Sequence, residues 1–89
     1  MNAVVTVVGK DTVGIIASVC TELANCNVNV LDISQTVMQG YFTMMMVVDV
    51  SVANLPVAQL AQHLEEKGKA MGLSIRLQRE DIFDAMHRV

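Results

Sequence analysis

The apolar positions of the chain change their period several times, and these changes divide it into strands and helices. Residues 3–8 form an apolar, β-branched run interrupted by Thr6 alone, which is typical of a central strand buried on both faces. A polar break at residues 9–12 separates this run from an apolar stripe of helical period over residues 13–25. The pattern predicts a strand, a tight loop and a helix in succession.

The start of the first predicted helix faces the polar loop. Asp11 or Thr12 is placed to cap it, and the expected buried stripe consists of Ile16, Val19, Cys20 and Leu23. Residues 25–27, Asn-Cys-Asn, end the helix, since asparagine tolerates the left-handed conformation. Because backbone N–H groups and the positive end of the helix dipole meet at this loop, the junction suits a carboxylate or phosphate.

Two alternating strands follow, over residues 28–37 and 41–50, and the short turn between them predicts an antiparallel hairpin. The first of these strands has a polar face that includes Asp32, which is typical of an edge strand. Its other face carries Leu31, Ile33, Gln35 and Val37. The second strand presents one face made of Phe42, Met44, Met46, Val48 and Val50, and an opposite face that includes Tyr41, Met45 and Val47.

A second helix is predicted over residues 55–71 and a fourth strand over residues 73–78. Pro56 falls in the first helical turn, where proline is tolerated, and Gly72 is a natural helix end. The helix is expected to bury Leu60, Ala61, Leu64 and Gly68. The strand is expected to bury Leu73, Ile75 and Leu77.

The element order β-α-β-β-α-β predicts an α+β, ferredoxin-like sandwich in a single domain. Right-handed crossovers place both helices on one face of a four-stranded antiparallel sheet, with the first and third strands central. Residues 1–79 form the core, and residues 80–89 form a tail whose apolar stripe predicts a short C-terminal helix. That helix packs on a neighbouring subunit or on the open face of the chain's own sheet.

Composition and charge narrow the function classes. A net charge of −3 and three aromatic residues argue against a nucleic-acid binder. The longest apolar run, residues 44–48, is too short to cross a bilayer, and the start of the sequence has no basic and apolar leader, which favours the cytoplasm. Cys20 and Cys26 are interpreted as reduced apolar fillers rather than a disulfide or metal pair.

No convincing catalytic set is present, so the sequence predicts a binder rather than an enzyme, without metal or cofactor. The loop at residues 9–14 lacks the paired cysteines of metal carriers, the arginine of small phosphatases and the P-loop signature. His63 lies in the middle of the second helix, where a solvated role is expected. His87 lies near the C-terminus, far from the loop in sequence.

Two segments resemble the ACT domain family. Residues 11–15 resemble its D-x-P-G-[IL] loop, with Val13 in place of the usual proline. Residues 28–33 resemble its V-N-I-x-x-[IV] second strand, with Asn29 fifteen positions after Gly14. Residues 30–36 and 82–89 resemble an uncharacterised group of stand-alone bacterial and archaeal ACT proteins that is related to the glycine cleavage system regulator.

The resemblance implies a regulatory module that binds a small molecule, with an amino acid as the expected class, as a homodimer or higher homo-oligomer. ACT domains pair through edge strands and hold ligands at the seam, between one subunit's loop and the other's second strand. Carried over residue by residue, the ligand-binding residues are Asp11, Thr12, Val13, Gly14, Ile15, Asn29, Val30 and Leu31. Gly14 admits a carboxylate to the backbone, Asp11 suits an α-ammonium, and Asn29 can donate and accept at once.

Structural alternatives stay open at three of these positions. Asp11 also fits a plain helix cap, Asn29 a backbone hydrogen bond at a strand start, and Gly14 close packing of helix on sheet. A second function is open as well. In it, the chain is a ligand-free interaction module that docks on an enzyme or regulator through its tail and open sheet face, without nucleic acid or membrane.

Overall fold

The computed structural model describes residues 1–10 and 13–81, and it confirms the predicted ferredoxin-like fold. The elements are β1 (Asn2–Lys10), α1 (Ile15–Asn25), β2 (Asn29–Met38), β3 (Tyr41–Asp49), α2 (Val57–Ala70) and β4 (Ser74–Arg79). All strand pairs are antiparallel and the sheet order is β2-β3-β1-β4, so β1 and β3 are central as expected. Most of the predicted tail helix, residues 82–89, lies outside the described residues.

A single apolar core lies between the two helices and the sheet. The predicted inward face of β3 is confirmed, since Phe42, Met44, Met46, Val48 and Val50 are all buried. The methionine triplet is split between two faces, with Met44 and Met46 buried and Met45 exposed to 39% on the side away from the helices. Among the described residues, no helix is long and apolar enough to cross a bilayer.

The first helix begins two residues later than its pattern predicted. Gly14, rather than Asp11 or Thr12, occupies the N-cap position, in the left-handed conformation with φ 87°. The buried stripe therefore runs through Ile15, Val19 and Leu23, while Ile16 is 38% exposed. The predicted stripe through Ile16 was wrong because two adjacent isoleucines fit the period equally well and only the position of the helix start separates them.

The second helix follows its prediction more closely. It begins at Val57, with Pro56 at the N-cap position rather than inside the first turn. Leu60, Leu64 and Gly68 are buried, and the predicted fourth member of the stripe, Ala61, is half-buried. The β4 prediction is also confirmed, because Leu73, Ile75 and Leu77 all enter the core.

Both helices end in a Schellman motif, which fixes where the next strand starts. At the end of α1, the Val28 N–H donates to the Leu23 carbonyl at 2.9 Å, and Asn27 adopts the left-handed conformation with φ 60°. Gly72 takes the same place after α2, with φ 73°. These are the two helix ends that the sequence predicted.

The β2–β3 hairpin closes through a two-residue turn in which Gln39 and Gly40 both have positive φ, 53° and 81°. Such turns match the right-handed twist of the flanking strands. A register shift lies between Val30 and Asp32, so Leu31 is an extra, bulged residue in β2. The predicted alternation of β2 therefore holds from Asp32 onward, and Val30 takes the inward position expected for Leu31.

Candidate functional site

The loop half of the predicted site lies at the start of α1. Val13 is fully exposed, and open space extends beyond the position that a Gly14 Cβ would occupy. The first intrahelical hydrogen bond runs from the Ser18 N–H to the Gly14 carbonyl at 2.9 Å. The preceding N–H groups, of residues 15–17, therefore point out of the helix end toward the loop.

The structure describes the positions of two further predicted residues in this half, Gly14 and Ile15. Gly14 is not required for close helix–sheet packing, because no atom of the described residues lies within 4 Å of a Cβ built on it. Its left-handed φ is what favours glycine. The Ile15 side chain is buried in the core, so only its backbone can contact a ligand. Asp11 and Thr12 lie outside the described residues, so their ligand roles stay predictions.

The strand half lies at the start of β2. Asn29 is exposed, and its side chain has no hydrogen-bond partner among the residues that the structure describes, so it does not serve the backbone role that the sequence left open. Val30 is half-buried against the core, whereas the bulged Leu31 is 52% exposed. Asn29 and Leu31 are therefore the two side chains of this half that are available to a ligand.

A carboxylate lies next to Asn29 in the sheet, but it is already engaged. Asp49, the register partner of Asn29 on β3, accepts hydrogen bonds from the Ser51 hydroxyl at 2.6 Å and the Ser51 backbone N–H at 2.9 Å. These hydrogen bonds, with a smaller contribution from the N-terminal ammonium 3.8 Å away, lower the pKa of Asp49. The Asp49 carboxylate is therefore already hydrogen-bonded within the chain. The side-chain amide of Asn29 has no hydrogen-bond partner among the described residues and is available to a ligand.

The two halves of the predicted site lie at opposite ends of the sheet within one chain. Lys10, which leads into the loop, pairs with Tyr41, and Tyr41 pairs with Met38 at the far end of β2. Asn29 begins the same strand at the other end. Ten extended residues at roughly 3.3 Å each separate the ends by about 30 Å, so a single copy cannot close a small ligand between them.

Apolar side chains are exposed along the edge that joins these two ends. On the helix side of the sheet, Ile33 and Val37 of β2 are 44% and 55% exposed. Ile16 lies on the flank of α1 away from α2, because Glu22, on the other flank, contacts His63 and Lys67 of α2. That flank faces the β2 edge, since α1 contacts β2 whereas α2 contacts β4. We call Ile16, Ile33 and Val37 the β2 flank.

A second group of chemically active side chains lies between the C-terminal half of α1 and α2. The Glu22 carboxylate, the Cys26 thiol and the His63 imidazole each offer one ligand atom within 4.8 Å of the others. His63 Nε2 lies 2.9 Å from Glu22 Oε2, and Lys67 Nζ lies 3.9 Å from the other carboxylate oxygen. Burial, and then the negative charge of Glu22, raise the pKa of the Cys26 thiol.

Sequence reasoning missed this second group. It treated His63 as a solvated helix residue and found no Cys–His arrangement, yet His63 is half-buried against α1. One signal was available, since Glu22 and Cys26 are four residues apart and share a helix face. The third member is 41 residues from Glu22, and only the packing of α2 on α1 brings it close.

Comparison with known proteins adds to this geometry. The family model of the ACT domain matches residues 2–78. A UPF0237 protein of Bifidobacterium longum is 56% identical over 88 residues, covering 99% of this chain and 98% of its own length. A solved ACT domain protein from Streptococcus pneumoniae is 42% identical, with a TM-score of 0.83 and 98% of each chain covered.

More distantly related sequences share this fold. The crystal structure of a putative glycine cleavage system transcriptional repressor has a TM-score of 0.76 at 23% identity. It covers 86% of this chain but only 44% of its own length. At this identity the match shows a shared fold alone.

Proposed function

Because the chain belongs to the ACT domain family, we propose that it is a regulatory module, rather than an enzyme, that binds a small zwitterionic metabolite between two copies of itself. The metabolite class that fits the predicted residues best is an amino acid. The observation that carries this proposal is the exposed β2 flank beside a free sheet edge, which lies between the two separated halves of the site.

We base the proposed dimer on the properties of the β2 edge of the sheet. Exposed apolar side chains next to unpaired strand hydrogen-bonding groups favour association with another strand. A two-fold axis across β2 pairs it antiparallel with β2 of the second copy, as in an isologous interface. The β2 flank is then covered by the same flank of the partner, and the two sheets become continuous.

The antiparallel arrangement also assembles the ligand site. It sets the Asn29 end of one β2 against the Met38 end of the other, which is the end where the loop leaves the sheet. Each dimer therefore has two equivalent seams, each with Asn29 from one copy and the Gly14 loop from the other.

The chemistry of the seam suits a zwitterion. The N–H groups at the start of α1, which have no partner among the described residues, bind a carboxylate, and the left-handed Gly14 leaves room for its approach. Asp11 receives the ammonium group, and Asn29, whose amide has no partner among the described residues, supplies a donor and an acceptor. The exposed Val13 and Leu31 are placed to contact the ligand's side chain.

We also place the protein in the cytoplasm. Cys20 and Cys26 are both free thiols, and unpaired cysteines are typical of a reducing compartment.

A thermal-shift panel of the common amino acids tests the ligand. At a concentration 100-fold above the dissociation constant, a ligand adds about 2.7 kcal/mol of stability, which raises the melting temperature of a domain this size by roughly 10 °C or more. We expect at least one amino acid to do so, and we expect Asp11→Ala and Asn29→Ala to abolish the shift.

The matched control is Asn25→Ala, an exposed asparagine at the end of α1 that lies outside the seam. It should keep the full shift. If no amino acid stabilises the chain, or if Asp11→Ala and Asn29→Ala respond as the parent does, the ligand proposal is wrong.

One observation favours the second candidate function, docking on a protein partner. The sheet face opposite the helices holds a groove of about 280 Å³, whose lining includes Val4, Asp32, Ser34, Met45, Val47 and Glu80. Under this alternative, deleting residues 81–89 or introducing Met45→Asp removes a protein partner and leaves any response to amino acids unchanged. Under the ligand proposal, Met45→Asp has no effect on the amino-acid shift.

A further inference from the structure

We propose that Glu22, Cys26 and His63 form a binding site for a divalent transition-metal ion, with zinc as the best match, in the cleft between α1 and α2. The site is independent of the ligand seam. It lies between α1 and α2, on the side of α1 that faces away from the β2 edge, whereas the proposed seam lies along that edge.

The three side chains come from two elements that hold them in place. Glu22 and Cys26 lie one turn apart on α1, and His63 faces them from α2. The backbone at Cys26 is fixed, because its carbonyl accepts a hydrogen bond from the Asn54 N–H at 2.9 Å. The Asn54 side-chain amide also donates to the Asn25 carbonyl at 3.0 Å.

The spacing is close to that of a bound ion. Zinc binds imidazole nitrogen at about 2.0 Å and thiolate sulfur at about 2.3 Å, so its tetrahedral ligands lie roughly 3.3–3.8 Å apart. The ligand atoms here lie within 4.8 Å of one another. His63 Nε2 and Glu22 Oε2 are 2.9 Å apart in a hydrogen bond that the ion would replace. Side-chain adjustments of about 1 Å would bring the three ligand atoms to the spacing of a bound ion.

The three donor types favour a metal ion that is intermediate between hard and soft. Imidazole, thiolate and carboxylate together suit zinc and its neighbours, whereas magnesium and calcium require oxygen ligands. Lys67, bonded to the second oxygen of Glu22 at 3.9 Å, is half-exposed and can stay there as an outer partner that offsets part of the charge of the ligands. Three protein ligands leave a fourth position for water or an external group.

We expect a metal ion bound at this site to have two effects on the whole chain. A bound ion links α1 to α2 and raises the melting temperature in proportion to the logarithm of the free metal concentration. It also fixes the Cys26 thiolate, which is otherwise a buried, protonated thiol.

Titration of the purified chain with Co²⁺, followed by displacement with Zn²⁺, tests the proposal. A thiolate ligand produces a sulfur-to-cobalt charge-transfer band, and a four-coordinate ion produces strong visible bands. We expect both with one ion per chain, and we expect Zn²⁺ to remove them. Each of Cys26→Ser, His63→Gln and Glu22→Gln should weaken binding at least roughly tenfold, and Cys26→Ser should abolish the charge-transfer band.

Matched controls separate this site from adventitious binding. Cys20→Ser removes the other thiol, and Glu65→Gln removes an exposed carboxylate of α2; both should bind Co²⁺ as the parent does. Circular dichroism checks that each variant is folded, and the half-exposed His63→Gln keeps the test decisive if Cys26→Ser unfolds. The proposal is overturned if Co²⁺ gives no charge-transfer band, if Cys20→Ser removes the band, or if His63→Gln binds as the parent does.

Discussion

An Ile33→Asp chain is expected to sediment as a monomer of 9.7 kDa at concentrations where we expect the parent chain to form the proposed dimer of twice that mass. Ile33 lies near the middle of β2, on the exposed β2 flank that the proposed interface covers. Each dimer would lose two apolar contacts and gain two carboxylates close to the two-fold axis. The chain already has a net charge of −3, and Asp32 precedes this position, so the new carboxylates add to an existing negative charge.

The expected magnitude is a rise of roughly a hundredfold or more in the dimer dissociation constant, because burying an unpaired carboxylate costs several kcal/mol. Sedimentation equilibrium over a range of concentrations measures it. Val52→Asp is the matched control, since Val52 is 67% exposed in the loop after β3 and away from the edge. If both variants dimerise as tightly as the parent, the interface does not use the β2 flank.

Gly68→Ala is expected to destabilise the fold, although alanine is the better helix former. A Cβ at this position would lie 2.9 Å from the Leu73 carbonyl oxygen and 2.8 Å from Ile75 Cγ1. The backbone cannot retreat, because the Leu73 N–H donates to the Gly68 carbonyl at 2.7 Å in the Schellman motif that ends α2. Alanine gains about 1 kcal/mol in helix propensity, but overpacking a fixed contact costs more.

We expect a net loss of about 2 kcal/mol, which lowers the melting temperature of a domain this size by roughly 8–16 °C. Urea unfolding followed by circular dichroism measures the free energy. The neighbouring variant Lys69→Ala has an exposed side chain and should change stability little. A Gly68→Ala chain as stable as the parent would mean that β4 does not approach α2 as closely as described.

Element order and strand positions could be predicted because each depends on local chemistry. The two-residue turn at Gln39 and Gly40 and the helix ends at Asn27 and Gly72 all use residues that tolerate positive φ. Alternation assigned the faces of β3 correctly, since one face is buried and the other open. These features require no knowledge of distant contacts.

The errors arose where two neighbouring residues satisfy the same pattern. Ile15 and Ile16 both fit a helical stripe, and the left-handed Gly14 decides which one enters the core. Val30 and Leu31 both fit an inward strand position, and the bulge decides between them. The spacing of apolar residues along the sequence cannot show which residue of either pair is buried.

The residues of the two candidate sites were even harder to predict from periodicity. The loop and strand residues of the ligand seam were predicted through a family resemblance, because no spacing in the sequence by itself links residues 11–15 to residues 29–31 as one site. The Glu22–Cys26–His63 cluster was missed because it depends on how α2 packs against α1, which leaves no periodic trace in the sequence.

Subunit complementation tests most directly whether each ligand site is made from two copies. Asp11→Ala disables the loop half and Asn29→Ala the strand half, so neither homodimer has an intact seam. Mixing them with subunit exchange makes about half of the dimers mixed, and each mixed dimer has one intact seam, or about a quarter of all seams. With the amino acid that gives the largest thermal shift as probe, calorimetry should detect no binding to either variant alone and binding of parental affinity at about a quarter of the sites in the mixture. A mixture that binds no more than its components, despite verified subunit exchange, would contradict a site shared between two chains.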